Sequence, residues 1–433
     1  MKIAIVGSGI SGLSCAYRLS QAGHTVSLLE ANDYFGGHTH TVDVTLEGRT
    51  HGVDTGFLVF NHKTYPHLVQ LFEELGVKTT ATDMSFSVKT PLADRTLEWA
   101  GANLSTVFAQ RRNLLSPGFL RMLADIIRFN KQATAIANLN QDADIHLSLG
   151  RFLEKHHYSK EFRNWYLLPM AACIWSCPAA AMLDFPLPSF VRFCHNHGLL
   201  QVNDRPQWQT VTGGARHYVE KILQAIPDAR VKTAVKSVRA APNRRLIVQT
   251  SDTVQEFDHV VLAAHSDQNL ALLADASAEE RAVLSAIAYQ PNRAVLHTDS
   301  RVLPENKKAW SAWNYQRGTG RDSDDTRVCV HYLINQLQPL PFETPVIVSL
   351  NPIDEPAAEK IIDSFDYAHP VFDHAAIAAQ AKLPSIQGKR GIWFAGAWTG
   401  YGFHEDGLKS GLLVADQIAQ LAESRMYPKI QAA

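Results

Sequence analysis

An α/β architecture with a second domain is what the sequence predicts, from three observations. A β-branched apolar run at residues 2–6 enters a glycine-rich turn and then a helical repeat. A second apolar run, Thr25-Val26-Ser27-Leu28-Leu29, ends in an acid, Glu30. The chain has 433 residues, more than one hydrophobic core ordinarily serves, so two domains are expected.

Each element has a physical reason. Ile3-Ala4-Ile5-Val6 has the composition of a strand buried on both faces of a parallel sheet. Gly7-Ser8-Gly9-Ile10-Ser11-Gly12 follows, then Leu13, Ala16 and Leu19 at helical spacing. Gly7 suits the tight turn, Gly9 lets backbone approach a pyrophosphate, and Gly12 allows close helix packing. The helix N-terminus presents free N–H groups and a positive dipole end to phosphate. Glu30 is placed to accept a hydrogen bond from a ribose hydroxyl. Strand, turn, helix, strand and acid within about thirty residues are a Rossmann-like dinucleotide unit.

Composition narrows the classes. Forty-one Lys and Arg against 42 Asp and Glu give a net charge of −1, which removes the electrostatic case for nucleic acid as a partner. The apolar fraction of 46% is ordinary for a folded protein. No run approaches the ~18–20 apolar residues of a membrane-spanning helix, and the N-terminal apolar run is short for a signal peptide. Cys15, Cys173, Cys177, Cys194 and Cys329 are scattered and odd in number, so reduced, buried thiols and a cytoplasmic location are expected. Nineteen histidines include the pairs His38/His40 and His195/His197. Neither pair has carboxylates or thiols clustered beside it, so no metal is expected. His38 and His40 are placed beside the cofactor instead, and His195–His197 at a cavity wall or helix end.

After Glu30 the chain reads Ala31-Asn32-Asp33-Tyr34-Phe35-Gly36-Gly37-His38-Thr39-His40-Thr41. An acid followed by Gly-Gly-Arg-x-x-Thr resembles the flavin-containing amine oxidase superfamily, which includes phytoene desaturases and protoporphyrinogen oxidases; here His38 replaces the Arg. The resemblance continues through Gly52-Val53-Asp54-Thr55-Gly56-Phe57 and the Thr212-Gly213-Gly214-Ala215-Arg216 turn. Residues 231–238 and 257–264 look like the strand pair of the adenine half. Residues 392–399 look like the flavin-contacting strand, with Ala397 where an acid often stands. Glu405-Asp406-Gly407-Leu408-Lys409-Ser410-Gly411 opens a helix whose N-terminus faces the flavin in that family.

This resemblance implies FAD, held by Gly7, Ser8, Gly9, Ile10, Ser11, Gly12, Glu30, Ala31, Gly36, Gly37, His38, Thr39, Thr55, Gly56, Phe57, Val235, Ala263, Gly396, Ala397, Asp406, Gly407 and Leu408. It also implies a discontinuous FAD-binding domain over 1–88, 206–267 and 386–433. The insertions 89–205 and 268–385 would form an interleaved α+β substrate domain. A second glycine fingerprint for NAD(P)H is not found, since Gly318-Thr319-Gly320 lacks the third Gly and a preceding strand. Cysteinyl attachment of FAD through the C-terminal block is excluded, because no Cys follows Cys329.

Within the insertions, residues 103–140 set Arg111, Arg112, Arg121, Arg128 and Lys131 among Phe108, Leu114, Phe119, Leu120, Leu123, Ile126 and Ile127. Such a helix can lie peripherally on an anionic membrane; the alternative is an ordinary domain helix with a basic solvated face. Residues 166–200 carry Asp184 and Arg192 as formal charges, and Pro169, Pro178, Pro186 and Pro188 forbid one long helix. Broken helices lining an apolar cavity and a plain core segment are both open.

The flavin would carry the redox step, so no catalytic triad is required. By alignment His404 falls where amine oxidases carry an aromatic beside the flavin, and it is the candidate catalytic residue, able to exchange protons near neutral pH. Trp175, Trp398 and Tyr401 are candidates for the substrate cavity. Trp310-Ser311-Ala312-Trp313-Asn314-Tyr315, Asn335-x-Leu337-Gln338 and Ser349-Leu350-Asn351-Pro352 resemble a branch of FAD proteins associated with cyclopropane fatty acid synthases. That implies a fatty-acyl lipid as the substrate that gives up hydride. A flavin amine oxidase and a non-catalytic flavoprotein partner of a lipid-modifying enzyme are the competing readings.

Overall fold

The computed structural model describes residues 1–139, 147–201, 205–318 and 328–426. Most of the Gly318-Thr319-Gly320 run therefore lies outside the described residues.

The N-terminal unit forms as its pattern predicts. Strand β1 (Lys2–Val6) passes through the glycine turn into α1 (Ile10–Gln21) and then β2 (Thr25–Leu29). These strands are parallel, and the sheet runs Asp228–Arg230, β2, β1, His259–Leu262, Ile392–Phe394, with every pairing parallel. Three segments, separated by about 200 and then about 130 residues, thus share one sheet. Ile3, Ala4 and Ile5 are fully buried because both faces are covered.

The second sheet has seven strands, in the order Ile361–Val371, Ala288–His297, Ile347–Leu350, Cys329–Leu333, Trp313–Gln316, Phe86–Pro91, Thr96–Ala100. Phe86–Pro91 joins it by running parallel to Trp313–Gln316. The domain boundary expected at residue 88 therefore falls inside a strand of this sheet. Residues from both insertions meet in it, and helices between residues 104 and 196 pack beside it. A second correction concerns residues 231–238 and 257–264. Val235–Ala240 pairs with Leu246–Thr250 in a separate three-stranded sheet, whereas His259–Leu262 lies in the parallel one. The two are not a strand pair.

Local signals hold elsewhere. Pro66–Leu75 is a helix started by its proline and stopped by Gly76 in the left-handed region, φ +61°. Residues 166–200 divide into the end of a helical stretch 160–175, which passes through a π segment Arg163–Leu167 and continues over Pro169, then a short 3-10 turn Ala180–Asp184 and the helix Leu187–Asn196, with Pro178 and Pro186 at the breaks. All five cysteines are buried and free.

The second sheet carries an interior polar row with fixed direction. The Asp299 amide donates to His297 Nδ1 at 3.0 Å, so the proton of this ring lies on Nε2, 2.7 Å from Ser349 Oγ. Ser349 then donates to His331 Nδ1 at 2.6 Å, and His331 Nε2 to Gln316 Oε1 at 2.9 Å. Burial lowers the pKa of His297 to about 4 and of His331 to about 3, so both rings are neutral.

The C-terminal helix, His404–Met426, returns to lie on α1. Close approach is possible because small residues face each other. A Cβ on Gly407 would stand 2.8 Å from Ile10 Cγ2, and one on Gly411 would collide with the Ser11 carbonyl and Ser14 Oγ. Gly411→Val should therefore force the helices apart and cost about 2 kcal/mol, read as a lowered thermal midpoint. An unchanged midpoint contradicts this packing.

Candidate functional site

The glycine turn is shaped for a ligand. Gly7 adopts φ +98° with its α-carbon against the Ala263 carbonyl, 2.9 Å from where a Cβ would stand. In front of Gly9 a Cβ would meet nothing within 4 Å, and no side chain caps the start of α1. Ile10, Ser11 and Gly12 form its first turn, so free N–H groups border an open space. Gly37, at φ +58°, lies against Gly9 with 3.1 Å from its Cβ position to the Gly9 α-carbon. The Gly36 amide donates to the Ser8 carbonyl at 3.1 Å, so the Gly-Gly turn folds back over the first turn. Glu30 is buried at the end of β2. Its Oε2 accepts from the Ser8 amide (2.9 Å) and hydroxyl (2.6 Å), and Oε1 from the Asn32 amide (2.9 Å). Ala31 is exposed beside it. The Thr233 amide bonds the Glu30 carbonyl, which brings the chain leading to buried Val235 alongside.

Beyond the Gly-Gly turn lies a group of rings from distant segments. His38 stacks on Tyr367 at 4.9 Å and meets His369 edge-on at 5.2 Å; His265 is 6.5 Å away and stacks on Tyr289 at 4.3 Å. Asn292 Nδ2 donates to His369 Nδ1 at 2.8 Å, leaving the proton on Nε2. His38 Nε2 is buried with no partner. Desolvation first, then the neighbouring imidazoles, lowers the His38 pKa well below its ordinary value, and that of His369 to about 4. The position where the family carries Arg is therefore neutral. His40 stacks on Tyr34 at 4.1 Å and lies 3.2 Å from the Thr55 hydroxyl, which also bonds Tyr367 at 2.8 Å.

His404, at the start of the C-terminal helix, is near enough to His38 to act on it electrostatically. It stacks on Phe57 at 3.8 Å and 13°, and its Nε2 is 2.8 Å from the Tyr218 hydroxyl. That hydroxyl is 2.5 Å from Thr39 Oγ1. Loss of solvation lowers the His404 pKa to about 3. This corrects the expectation of proton exchange near neutral pH: the ring is a neutral, hydrogen-bonding wall. Gly56 packs on the His38 carbonyl, and Ala397, Gly407 and Leu408 pack where the C-terminal helix meets α1. Gly396 donates its amide to Ser410 Oγ at 2.9 Å. Asp406 accepts from the Phe403 amide at 3.0 Å, and burial raises its pKa to about 6.

Of the proposed cavity residues, Trp398 is a packing residue: it is 2% exposed and donates to the Ala264 carbonyl. Trp175 contacts Phe185 and Phe193 at 4.8 and 4.7 Å, and Phe193 stacks on Phe403 at 4.8 Å and contacts Tyr401 at 5.8 Å. Trp175 also lines a cavity of about 210 Å³ together with Cys177, Met182, Phe185, Pro370 and Phe372, and with the acids Asp184 and Asp373. His197 closes the helix Leu187–Asn196 and stacks on Phe193 at 3.9 Å.

Sequence reasoning missed what joins these parts. Asp54 is buried, and it accepts from Thr41 Oγ1, from the Ala215 amide (2.9 Å) and from Gln338 Nε2 (2.9 Å), while its own amide donates to Gln338 Oε1. Burial raises its pKa to about 7 against the pull of the Thr41 and Ala215 donors. The residues that resemble the fatty acid synthase-associated branch prove to be hydrogen-bond hubs of the same kind. Asn335 binds the Phe342 and Thr344 carbonyls and the Val346 amide; Asn314 ties Ser87, Ser311 and the His331 carbonyl; Asn351 reaches Asn292. These asparagines tie the strands of the sheet together. Tyr218, His265, Tyr367 and His369 stand in no motif, and only their histidine or tyrosine identity signalled them.

Turn, capless helix and paired acid define a dinucleotide-binding protein, and comparison gives its family. Residues 10–342 match the family described as flavin containing amine oxidoreductase, and the chain belongs to it. Members of that family use FAD, and FAD is the cofactor of this chain. The open space before Gly9, the free N–H groups of α1 and the unpartnered His38 Nε2 fit it. A 15-cis-phytoene desaturase of Synechococcus elongatus is 38% identical over 78 residues, 18% of this chain and 16% of that one. Matches to the first three curated relatives span 16% to 56% of their lengths. Among solved structures, a putrescine oxidase double mutant superposes with a TM-score of 0.68 at 18% identity, covering 97% and 99% of the two chains. A CLA-producing fatty acid isomerase from P. acnes gives 0.64 at 17% identity, covering 96% and 98%. These structures show the fold.

Asp54 supplies the test of this assembly. Asp54→Ala would leave three donors unpaired in the interior and cost about 3 kcal/mol, with a lowered thermal midpoint; Asp54→Asn, keeping one acceptor, should fall between. Wild-type stability in Asp54→Ala contradicts the assignment.

Proposed function

We propose that this protein is an FAD-dependent oxidoreductase that takes hydride from a hydrophobic, fatty-acyl substrate. FAD, when bound, supplies a two-electron acceptor for hydride from a carbon atom. The chain's own residues supply position and dryness. The observation that carries the reading is a cluster of apolar rings, Trp175, Phe185, Phe193 and Phe403, of which Trp175 and Phe185 line the 210 Å³ cavity, with Phe403 immediately preceding the buried, neutral His404 in the chain. An acyl chain gains by burial against such rings, about 0.8 kcal/mol for each methylene. The two acids of the first turn of the C-terminal helix are engaged within the protein, Glu405 by the His67 and Leu68 amides and Asp406 by the Phe403 amide, and neither is assigned as an amine anchor. His404, bonded to Tyr218 and stacked on Phe57, fixes the wall rather than moving a proton. The resemblance to proteins associated with cyclopropane fatty acid synthases supports the substrate class.

A second reading, a flavin amine oxidase, is favoured by one observation: Asp184 and Asp373 are among the residues that line the cavity and would attract a cation. Anaerobic titration of the FAD-loaded protein separates the two. Bleaching of the flavin by acyl lipids, with simple amines inert, is expected. Bleaching by amines alone overturns the acyl reading, and inertness toward both leaves a non-catalytic flavoprotein.

A further inference from the structure

The described surface leaves ten large hydrophobic side chains exposed, and five of them fall within residues 104–127: Leu104, Leu114, Leu115, Leu120 and Ile127. Leu115 is 88% and Leu104 77% exposed. They sit on three consecutive short elements: the helical turn Leu104–Val107, the 3-10 turn Arg111–Leu115 and the first half of the helix Pro117–Leu139. That helix is apolar on both sides. Its inner face buries Phe119, Met122, Phe129 and Ala133, while Leu120, Ala124 and Ile127 face outward, where a helix of a water-facing domain carries polar residues.

The rim is basic, and part of it comes from the other insertion. Arg111, Arg112, Arg121 and Lys131 are exposed around the leucines. Exposed Lys307 and Lys308 join them, because Asn306 Nδ2 donates to the Ala109 carbonyl at 2.6 Å and the buried Glu98 carboxylate accepts the Glu305 and Asn306 amides. Among the described residues, Asp125 pairs with Arg128 at 2.8 Å and Glu161 with Arg121 at 3.4 Å, so the rim's net positive charge rests on Arg111, Arg112, Lys131, Lys307 and Lys308, with Glu305 beside the last two.

We propose that this face docks on an anionic lipid bilayer, with Leu114, Leu115, Leu120 and Ile127 entering the headgroup region and the Arg and Lys rim on lipid phosphates. Charge complementarity selects this occupant: protruding leucines ringed by cations match a surface that is apolar inside and negative outside. No helix among the described residues is long and apolar enough to cross a membrane, so the contact is peripheral. The inner face of the docking helix begins a chain of rings, Phe129 to Phe190 to Trp175, that leads to the candidate cavity. Docking does not depend on the proposed substrate, and a vesicle assay reads it without turnover.

The test is flotation of the FAD-loaded protein with vesicles of phosphatidylglycerol and phosphatidylcholine, and with phosphatidylcholine alone. Wild type should float with the anionic vesicles. Leu114→Ser with Leu115→Ser, and separately Arg111→Glu with Arg112→Glu, should reduce the floated fraction at least tenfold while leaving the flavin spectrum and thermal midpoint unchanged. High salt should weaken wild-type binding. No flotation of wild type, or equal flotation of the leucine variant, overturns the proposal. A concentration-dependent dimer of wild type that the leucine variant abolishes, without vesicle binding, assigns the face to a second copy instead.

Discussion

A chain that twice leaves its nucleotide-binding sheet must be tied back each time, and the buried carboxylate of Asp54 is where that happens. Thr41, from the strand after the Gly-Gly turn, Ala215, from the second glycine turn, and Gln338, from the second insertion, all donate to it. A buried carboxylate is costly unless its lone pairs are filled. Because the three donors are far apart in sequence, filling them fixes the mutual placement of three segments. The wall of rings depends on the same registration: Thr55 follows Asp54 and bonds Tyr367, which stacks on His38.

The group of rings around His38 is polar without being charged. His38, His369 and His404 each lose solvation, and each ring is lowered well below its ordinary pKa. Substituting His38 for the family's Arg belongs to this pattern, since a guanidinium would bring a fixed charge into the group. The family's redox chemistry resides in its cofactor, and a neutral surround suits a neutral, apolar substrate better than a cationic one.

The legible parts of the sequence were those whose physics is local. The strand Lys2–Val6, its glycine turn, Glu30 and the helix Pro66–Leu75 depend on neighbours a few residues away. The breaks at Pro178 and Pro186 are likewise local. What could not be read depends on contacts through space. Nothing in the flanking residues of Tyr367 or His369 places them against His38, and Asp54 stood in a motif whose partners were unstated. The alternation of residues 86–91 does not say which of two sheets the strand joins. His404 was picked out by alignment, but its neutrality comes from burial beside Tyr218 and Phe57, and burial is a property of the folded chain.

The central claim is a neutral chamber for a neutral acyl substrate, and the pH dependence of anaerobic flavin reduction tests it most directly. Because the histidine pKa values are lowered, protonation of these rings is complete only well below neutral pH, so the reduction rate with an acyl lipid should stay flat between about pH 6.5 and 8.5. A rate that climbs tenfold through that window and does so equally in Asp54→Asn, which removes the interior carboxyl placed near pH 7, as deprotonation of an amine substrate would make it, would contradict the account.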